Sequence, residues 1–152
     1  MPRYPFHFSF LVKDLPSTRR FYGEILGCPE GRSSDSWVDF NLGGNQLSMH
    51  VSEKIPESFP CGVVDSVIVP IPHFGCIMPW DEFHVLAEKL HKEKVEFIIE
   101  PGIRFAGQPG EQATMFFKDP SGNSLEIKSF KNPEHIFTLN VKQKKYGADQ
   151  HD

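Results

Sequence analysis

The chain has 152 residues, 39% of them hydrophobic and 12% aromatic, and carries a formal charge of -4 from 16 basic and 20 acidic side chains. This length and apolar content suit one domain with a real core. The acidic balance, relieved only by a short basic run at 142–145, leaves no electrostatic footprint for nucleic acid. No apolar stretch approaches the ~18 residues of a membrane span, the start of the chain lacks a leader pattern, and Cys28, Cys61 and Cys76 lack metal-type spacing, so a reduced cytoplasmic setting is expected.

Residues 6–12, rich in aromatic and branched side chains, predict a first strand. Asp14 and Pro16 then mark a helix start, Phe21, Tyr22, Ile25 and Leu26 supply its apolar face, and Gly27 is placed to end it. Residues 36–42 and 46–52 alternate around Gly43-Gly44 as a hairpin. Residues 53–72, with Pro56, Pro60, Pro70 and Pro72, predict a long lid-like loop. A strand from His73 follows, then a helix after Pro79 in which Trp80 packs at the start and Phe83, Leu86, Ala87 and Leu90 form the buried stripe. His84 and His91, seven apart on that helix, are expected to face solvent. Residues 95–99, 114–118 and 124–130 read as strands, with a turn at Asp119-Pro120-Ser121-Gly122 and a polar tail over 131–152 that should fray beyond about residue 142.

The two halves echo one another. His7-Phe8-Ser9-Phe10-Leu11-Val12 is matched by His73-Phe74-Gly75-Cys76-Ile77-Met78, and Gly44-Asn45-Gln46-Leu47-Ser48-Met49 by Gly122-Asn123-Ser124-Leu125-Glu126-Ile127. The expectation is an α+β domain of two βαβββ modules, about 5–57 and 73–130, forming a cupped mixed sheet. Because side chains alternate across a strand, His7, Ser9 and Leu11 share one face, as do His73, Gly75 and Ile77, and as do Ser124, Glu126 and Lys128. Where those faces converge, His7, His73 and Glu126 form a two-imidazole, one-carboxylate ligand set for a divalent transition metal with positions left for substrate. Cys76 falls out of phase with His73, which favours packing under the sheet over reactivity.

Other residues are candidates for substrate work. His50 shares a face with Ser48 and is a candidate acid or base near neutral pH. Lys128 lies two residues beyond Glu126 on its face, Gln112 and Phe116 share a pocket-lining face, and Arg104, read in a glycine-rich loop, could clamp a carboxylate or phosphate oxygen.

The doubled module, the opening Phe6-His7-x-Ser9 followed by Val12-Lys13-Asp14-Leu15, the Arg20-Phe21-Tyr22 to Leu26-Gly27 helix and, above all, Phe117-Lys118-Asp119-Pro120-Ser121-Gly122-Asn123-Ser124-Leu125-Glu126 resemble the vicinal oxygen chelate superfamily over about residues 5–130. That superfamily includes glyoxalase I, extradiol dioxygenases, fosfomycin-resistance thiol transferases and metal-free bleomycin-binding proteins. The resemblance implies His7, His73 and Glu126 as ligands of a divalent ion (Fe, Mn, Zn, Ni or Co), with Ser9 the hydroxyl that fosfomycin-resistance enzymes carry two residues after the first histidine. The departures are informative. Ser48 stands where a glyoxalase I-like member carries its second carboxylate, no histidine occurs over 106–110 where extradiol dioxygenases have one, and Phe116 replaces a tyrosine of both the dioxygenase and fosfomycin-resistance patterns.

Two chemistries remain open for such a centre, Lewis-acid catalysis on a small oxygen-chelating substrate and Fe(II) oxygen chemistry. A metal-free protein that only sequesters a small molecule is the alternative from another class. The resemblance also implies a homodimer whose site is shared, one chain giving His7 and the other His73 and Glu126.

Overall fold

The computed structural model describes residues 4–64 and 66–138, so the expected fraying beyond residue 142 lies outside the described residues. Strand β1 (His7–Val12) leads into a single α-helical turn, α1 (Leu15–Thr18), which continues as a π-helical stretch over Arg19–Ile25. Asp14 caps the start, accepting from Ser17 N–H at 2.7 Å, and Gly27 ends the helix with φ +74°, the left-handed conformation that favours glycine. Strands β2 (Glu30–Ser33), β3 (Trp37–Leu42) and β4 (Asn45–Val51) complete a four-stranded sheet in the order β1-β4-β3-β2. Gly43 and Gly44, both with positive φ, make the tight turn between β3 and β4 that the dipeptide predicts.

The second module repeats this plan. Helix α2 (Trp80–Lys92) buries Phe83, Ala87 and Leu90, and strands β7 (Phe97–Arg104), β8 (Gln112–Lys118) and β9 (Ser124–Phe130) form an antiparallel sheet in that order. Residues 74–77 run parallel to β9 through bridges Phe74 to Leu125 and Ile77 to Lys128, as β1 runs parallel to β4. Here the expectation of a full strand from His73 is corrected to two isolated bridges. The segment is bounded by Pro72 and Pro79, neither of which has an N–H to extend a ladder. It also presses so close to β9 that a Cβ on Gly75 would lie 1.7 Å from the Glu126 carbonyl oxygen.

Two further expectations are revised. Residues 53–72, read as a lid-like loop, contain the hairpin β5 (Phe59–Val64) and β6 (Val67–Ile71), because Val63-Val64 and Val67-Ile68-Val69 are branched residues that pair well across a turn with Ser66 at φ +67°. This hairpin pairs with neither sheet and leaves Phe59, Val63 and Ile68 exposed while burying Val69. The strand expected at 95–99 instead runs to Arg104, because Pro101 and Gly102 are accommodated by register shifts on an edge strand.

The modules share one core. Phe21, Tyr22 and Ile25 from the first helix pack with Phe40 of β3, Phe83 and Leu90 of α2, and Phe117 of β8. Cys28 belongs to this core and Cys76 packs against it, and burial pushes their thiols up to about 12 and about 11 respectively, as expected for packing residues rather than nucleophiles. A buried carboxylate bridges the seam. The Asp119 carboxylate, 5% exposed, accepts from Ser121 N–H (2.9 Å), Asn123 N–H (2.8 Å), the Asn123 side-chain amide (2.9 Å) and the Tyr22 hydroxyl (2.9 Å). Burial pushes its carboxyl up, and the four donors only partly offset that effect. Asn123 also donates to the Leu11 carbonyl (2.9 Å), and Lys13 N–H donates to Ser121 (2.9 Å), so the turn of module two is tied to β1 of module one.

Two stability outcomes follow from these contacts. Asp119→Ala strands a buried tyrosine hydroxyl and three N–H donors and should cost about 3–5 kcal/mol in urea unfolding, against about 1–2 kcal/mol for Tyr22→Phe. Gly75→Ala should cost about 1–3 kcal/mol, because the new methyl group must push residues 74–77 away from β9. Wild-type stability for Gly75→Ala would show that the close approach is not required.

Candidate metal centre

Strand β9 and His73, which immediately precedes the 74–77 segment, carry the second-module half of the candidate site. His73 Nδ1 lies 2.8 Å from the Pro70 carbonyl oxygen, which only accepts, so the ring donates from Nδ1 and a neutral imidazole keeps its lone pair on Nε2. That nitrogen faces Glu126 Oε2 at 3.3 Å. Ligands held about 2.0–2.2 Å from one ion at ordinary coordination angles are themselves about 3.0–3.5 Å apart, so the pair has the spacing a cation needs. The other carboxylate oxygen, Oε1, accepts from Thr114 Oγ at 2.8 Å and lies 3.5 Å from Lys128 Nζ, which leaves Oε2 for a ligand role. Glu126 is buried and His73 half-buried, with the imidazole edge-on to Phe116 at 4.8 Å between ring centroids.

Strand register then places the remaining second-module residues. Phe116 lies opposite Glu126, Thr114 opposite Lys128, and Gln112 opposite both Phe130 and Arg104. Arg104 is therefore the last residue of β7 rather than part of a loop, with its guanidinium carbon 5.2 Å from the Phe105 ring centroid. Phe116 is fully buried, so it forms the apolar floor beneath His73 more than an open pocket wall.

The first module presents the matching face. His7 and Ser9 of β1 lie opposite Gln46 and Ser48 of β4, and Trp37 and Asp39 of β3 lie opposite His50 and Ser48. His7 is exposed, with Nδ1 2.9 Å from Gln46 Oε1. The Gln46 amide donates from Nε2 to Asp39 Oδ2 at 3.1 Å, and Ser48 Oγ donates to Asp39 Oδ1 at 2.5 Å. Asp39 is almost fully buried, and the exposed Arg32 guanidinium lies 3.8 Å from its Oδ2. Register makes Ser48 the counterpart of Glu126 and Asp39 the counterpart of Phe116, so this module does keep a buried carboxylate, one strand over from the position where the repeat would put it. His50 is exposed, with its ring 6.3 Å from that of Trp37. Ser9 also opens on a cavity of about 290 Å³ bounded by Phe8, Phe10, Pro72, Phe74 and Asn123.

The structure thus brings His73, Glu126, Lys128 and Phe116 together, and separately links His7 to Ser48 through Gln46 and Asp39. Among the described residues, no three His, Cys, Asp or Glu side chains come close enough to hold a metal within one chain. Thr114, Gln46 and Asp39 are contacts that the sequence does not announce. Alternation along β3, β4 and β8 puts each on a site face, but neutral or hydrogen-bonded residues in a strand carry no chemical signal until register is known. On α2, His91 is exposed and pairs with Glu100 at 2.8 Å, whereas His84, expected in solvent, is half-buried edge-on to Trp80.

Residues 5–127 match the model of the Glyoxalase/Bleomycin resistance protein/Dioxygenase superfamily. The chain is 25% identical over 121 residues to the metallothiol transferase FosB of Lysinibacillus sphaericus, covering 80% of this chain and 78% of that protein. A solved glyoxalase/bleomycin resistance protein/dioxygenase from Alicyclobacillus acidocaldarius superposes with a TM-score of 0.70 at 27% identity, covering 90% of this chain and 98% of that one. The fosfomycin resistance protein FosX of Listeria monocytogenes has the same fold, with a TM-score of 0.65 at 20% identity over 89% of this chain and 98% of its own. Paired modules with parallel edge segments and the matched span together show that the chain belongs to the glyoxalase/bleomycin resistance/dioxygenase superfamily.

Proposed function

We propose that this protein is a divalent-metal-dependent enzyme acting by Lewis-acid chemistry on a small oxygen-chelating substrate, with His7, His73 and Glu126 as the ligands. The observation that carries this reading is His73 Nε2 facing Glu126 Oε2 at 3.3 Å while Nδ1 donates to the Pro70 carbonyl. Two lone-pair atoms at that separation repel unless a cation or a proton lies between them. When bound there, a divalent ion would polarise a substrate oxygen and stabilise developing negative charge. The similarity to a protein named as a metallothiol transferase supports group transfer over oxygen chemistry.

The chain's own residues divide the remaining work. Thr114 and Lys128 hold Glu126 Oε1 so that Oε2 is presented to the centre. Lys128, half-exposed beside the carboxylate, also brings positive charge for an anionic substrate group, and Arg104 with Gln112 forms the next polar row along the same sheet face. In the first module, Ser9 supplies a hydroxyl next to His7, and exposed His50 can take or give a proton at the open end of that face. Ser48, whose hydroxyl is committed to Asp39, positions rather than reacts.

Because His7 does not join His73 and Glu126 within one chain, the proposed site is shared across a homodimer, each His7 completing the partner's centre. Single changes His7→Ala, His73→Ala and Glu126→Ala should each lower metal content, read by elemental analysis, with far-UV circular dichroism unchanged, while His91→Ala should leave it unchanged. Equal metal in wild type and all three variants would overturn the ligand set. Mixing His7→Ala with Glu126→Ala protein under subunit exchange should restore one intact site per heterodimer. A wild-type monomer at micromolar concentration that binds metal fully would overturn the shared arrangement.

A further inference from the structure

We infer that Asp39, acting through Gln46, is a positioning residue that fixes the tautomer of His7 and so decides which ring nitrogen is free for ligation. This inference rests on the reading of His7 as a metal ligand. Donors and acceptors form a chain here in which each link forces the next.

Asp39 is 5% exposed and, as a carboxylate, has only acceptor atoms. Oδ1 takes the Ser48 hydroxyl at 2.5 Å, leaving Oδ2 to take the Gln46 side chain at 3.1 Å. A carboxylate oxygen can accept only from the NH₂ end of that amide, so the Gln46 carbonyl must point the other way. It points at His7 Nδ1, 2.9 Å distant. A carbonyl oxygen cannot donate, so Nδ1 carries the proton and neutral His7 keeps its lone pair on Nε2. The buried carboxylate thereby sets the tautomer of a ring it does not touch.

The internal repeat supplies an independent comparison. His73, the counterpart of His7, reaches the same tautomer by donating Nδ1–H to the Pro70 main-chain carbonyl at 2.8 Å. The residues that fix His7 are side chains, Gln46 on β4 and Asp39 on β3, and neither has an equivalent in module two, where Ser124 and Phe116 hold the matching register positions. Two unrelated sets of partners thus set the same tautomer in both neutral imidazoles, with the lone pair on Nε2.

The test is a side-chain swap in the full-length protein, with His7 tautomer read by ¹⁵N NMR of metal-free protein and Zn(II) affinity by titration calorimetry. Asp39→Asn offers an NH₂ group to Gln46, which should rotate its amide, present NH₂ to Nδ1 and move the His7 proton to Nε2. Zn(II) affinity should fall about 10–100-fold, the usual effect of losing an outer-shell partner. The double change Asp39→Asn/Gln46→Glu should restore both readouts, because the new amide at 39 donates to the new carboxylate at 46, which again accepts Nδ1–H. A purely structural role for Asp39 would not yield that rescue. Gln46→Leu, at an exposed position, gives a second variant in case Asp39→Asn unfolds, and should leave a mixture of tautomers. An unchanged Nδ1–H form in both single variants, or no return of that form in the double variant, would overturn the relay. Wild-type Zn(II) affinity in His7→Ala would instead remove His7 from the metal site while the tautomer shifts still established the relay.

Discussion

The buried carboxylate of Asp119 is the constraint on which the architecture turns. It sits at the seam between two modules that belong to different sheets, and it gathers a hydroxyl from the first helix and three donors from the turn before β9. A carboxylate surrounded by donors has few alternative arrangements, since moving it strands several polar groups at once. The turn it organises holds Asn123 against the β1 backbone and launches β9, so Glu126 is set relative to the first module by the same group that closes the core. The packing of Phe21 against Phe117 and of Tyr22 against Phe40 supplies the apolar area, while Asp119 supplies the registration.

The two half-sites illustrate how one backbone plan tolerates different chemistry. Each module sets a histidine at the head of an edge segment that runs parallel to its closing strand. In the second module that segment lies so near β9 that only glycine fits beside Glu126. In the first, Ser9 has room for a side chain and looks across at Ser48 rather than at a carboxylate. The asymmetry divides the labour of the proposed centre: one module brings an imidazole and a carboxylate together, and the other brings an imidazole and a hydroxyl.

Much of this architecture is legible in the amino-acid sequence. The doubled His-start and Gly-Asn-x-Leu pattern defines the modules and the faces, and the Gly43-Gly44 and Asp119-Pro120-Ser121-Gly122 turns fall where their chemistry puts them. What stays hidden depends on register or on context. Prolines at 56, 60, 70 and 72 obscure a hairpin whose pairing comes from branched residues between them, and Pro101 hides the continuation of β7 to Arg104 because an edge strand can spare a donor. Thr114, Gln46 and Asp39 escape notice for a different reason. A threonine or glutamine in a strand is ordinary, and its partner is known only once neighbouring strands are aligned.

The unequal anchoring of the two histidines has a consequence for how such a protein can change over generations. His73 is oriented by a main-chain carbonyl, which no substitution at position 70 deletes outright. His7 is oriented by two side chains that single nucleotide changes can rewrite. In the proposed centre, one arm is therefore inherited with the backbone and the other is open to adjustment, so selection for a different ion or substrate would act first on β3 and β4. The same fold thus holds one imidazole through its backbone and the other through side chains that substitution can change.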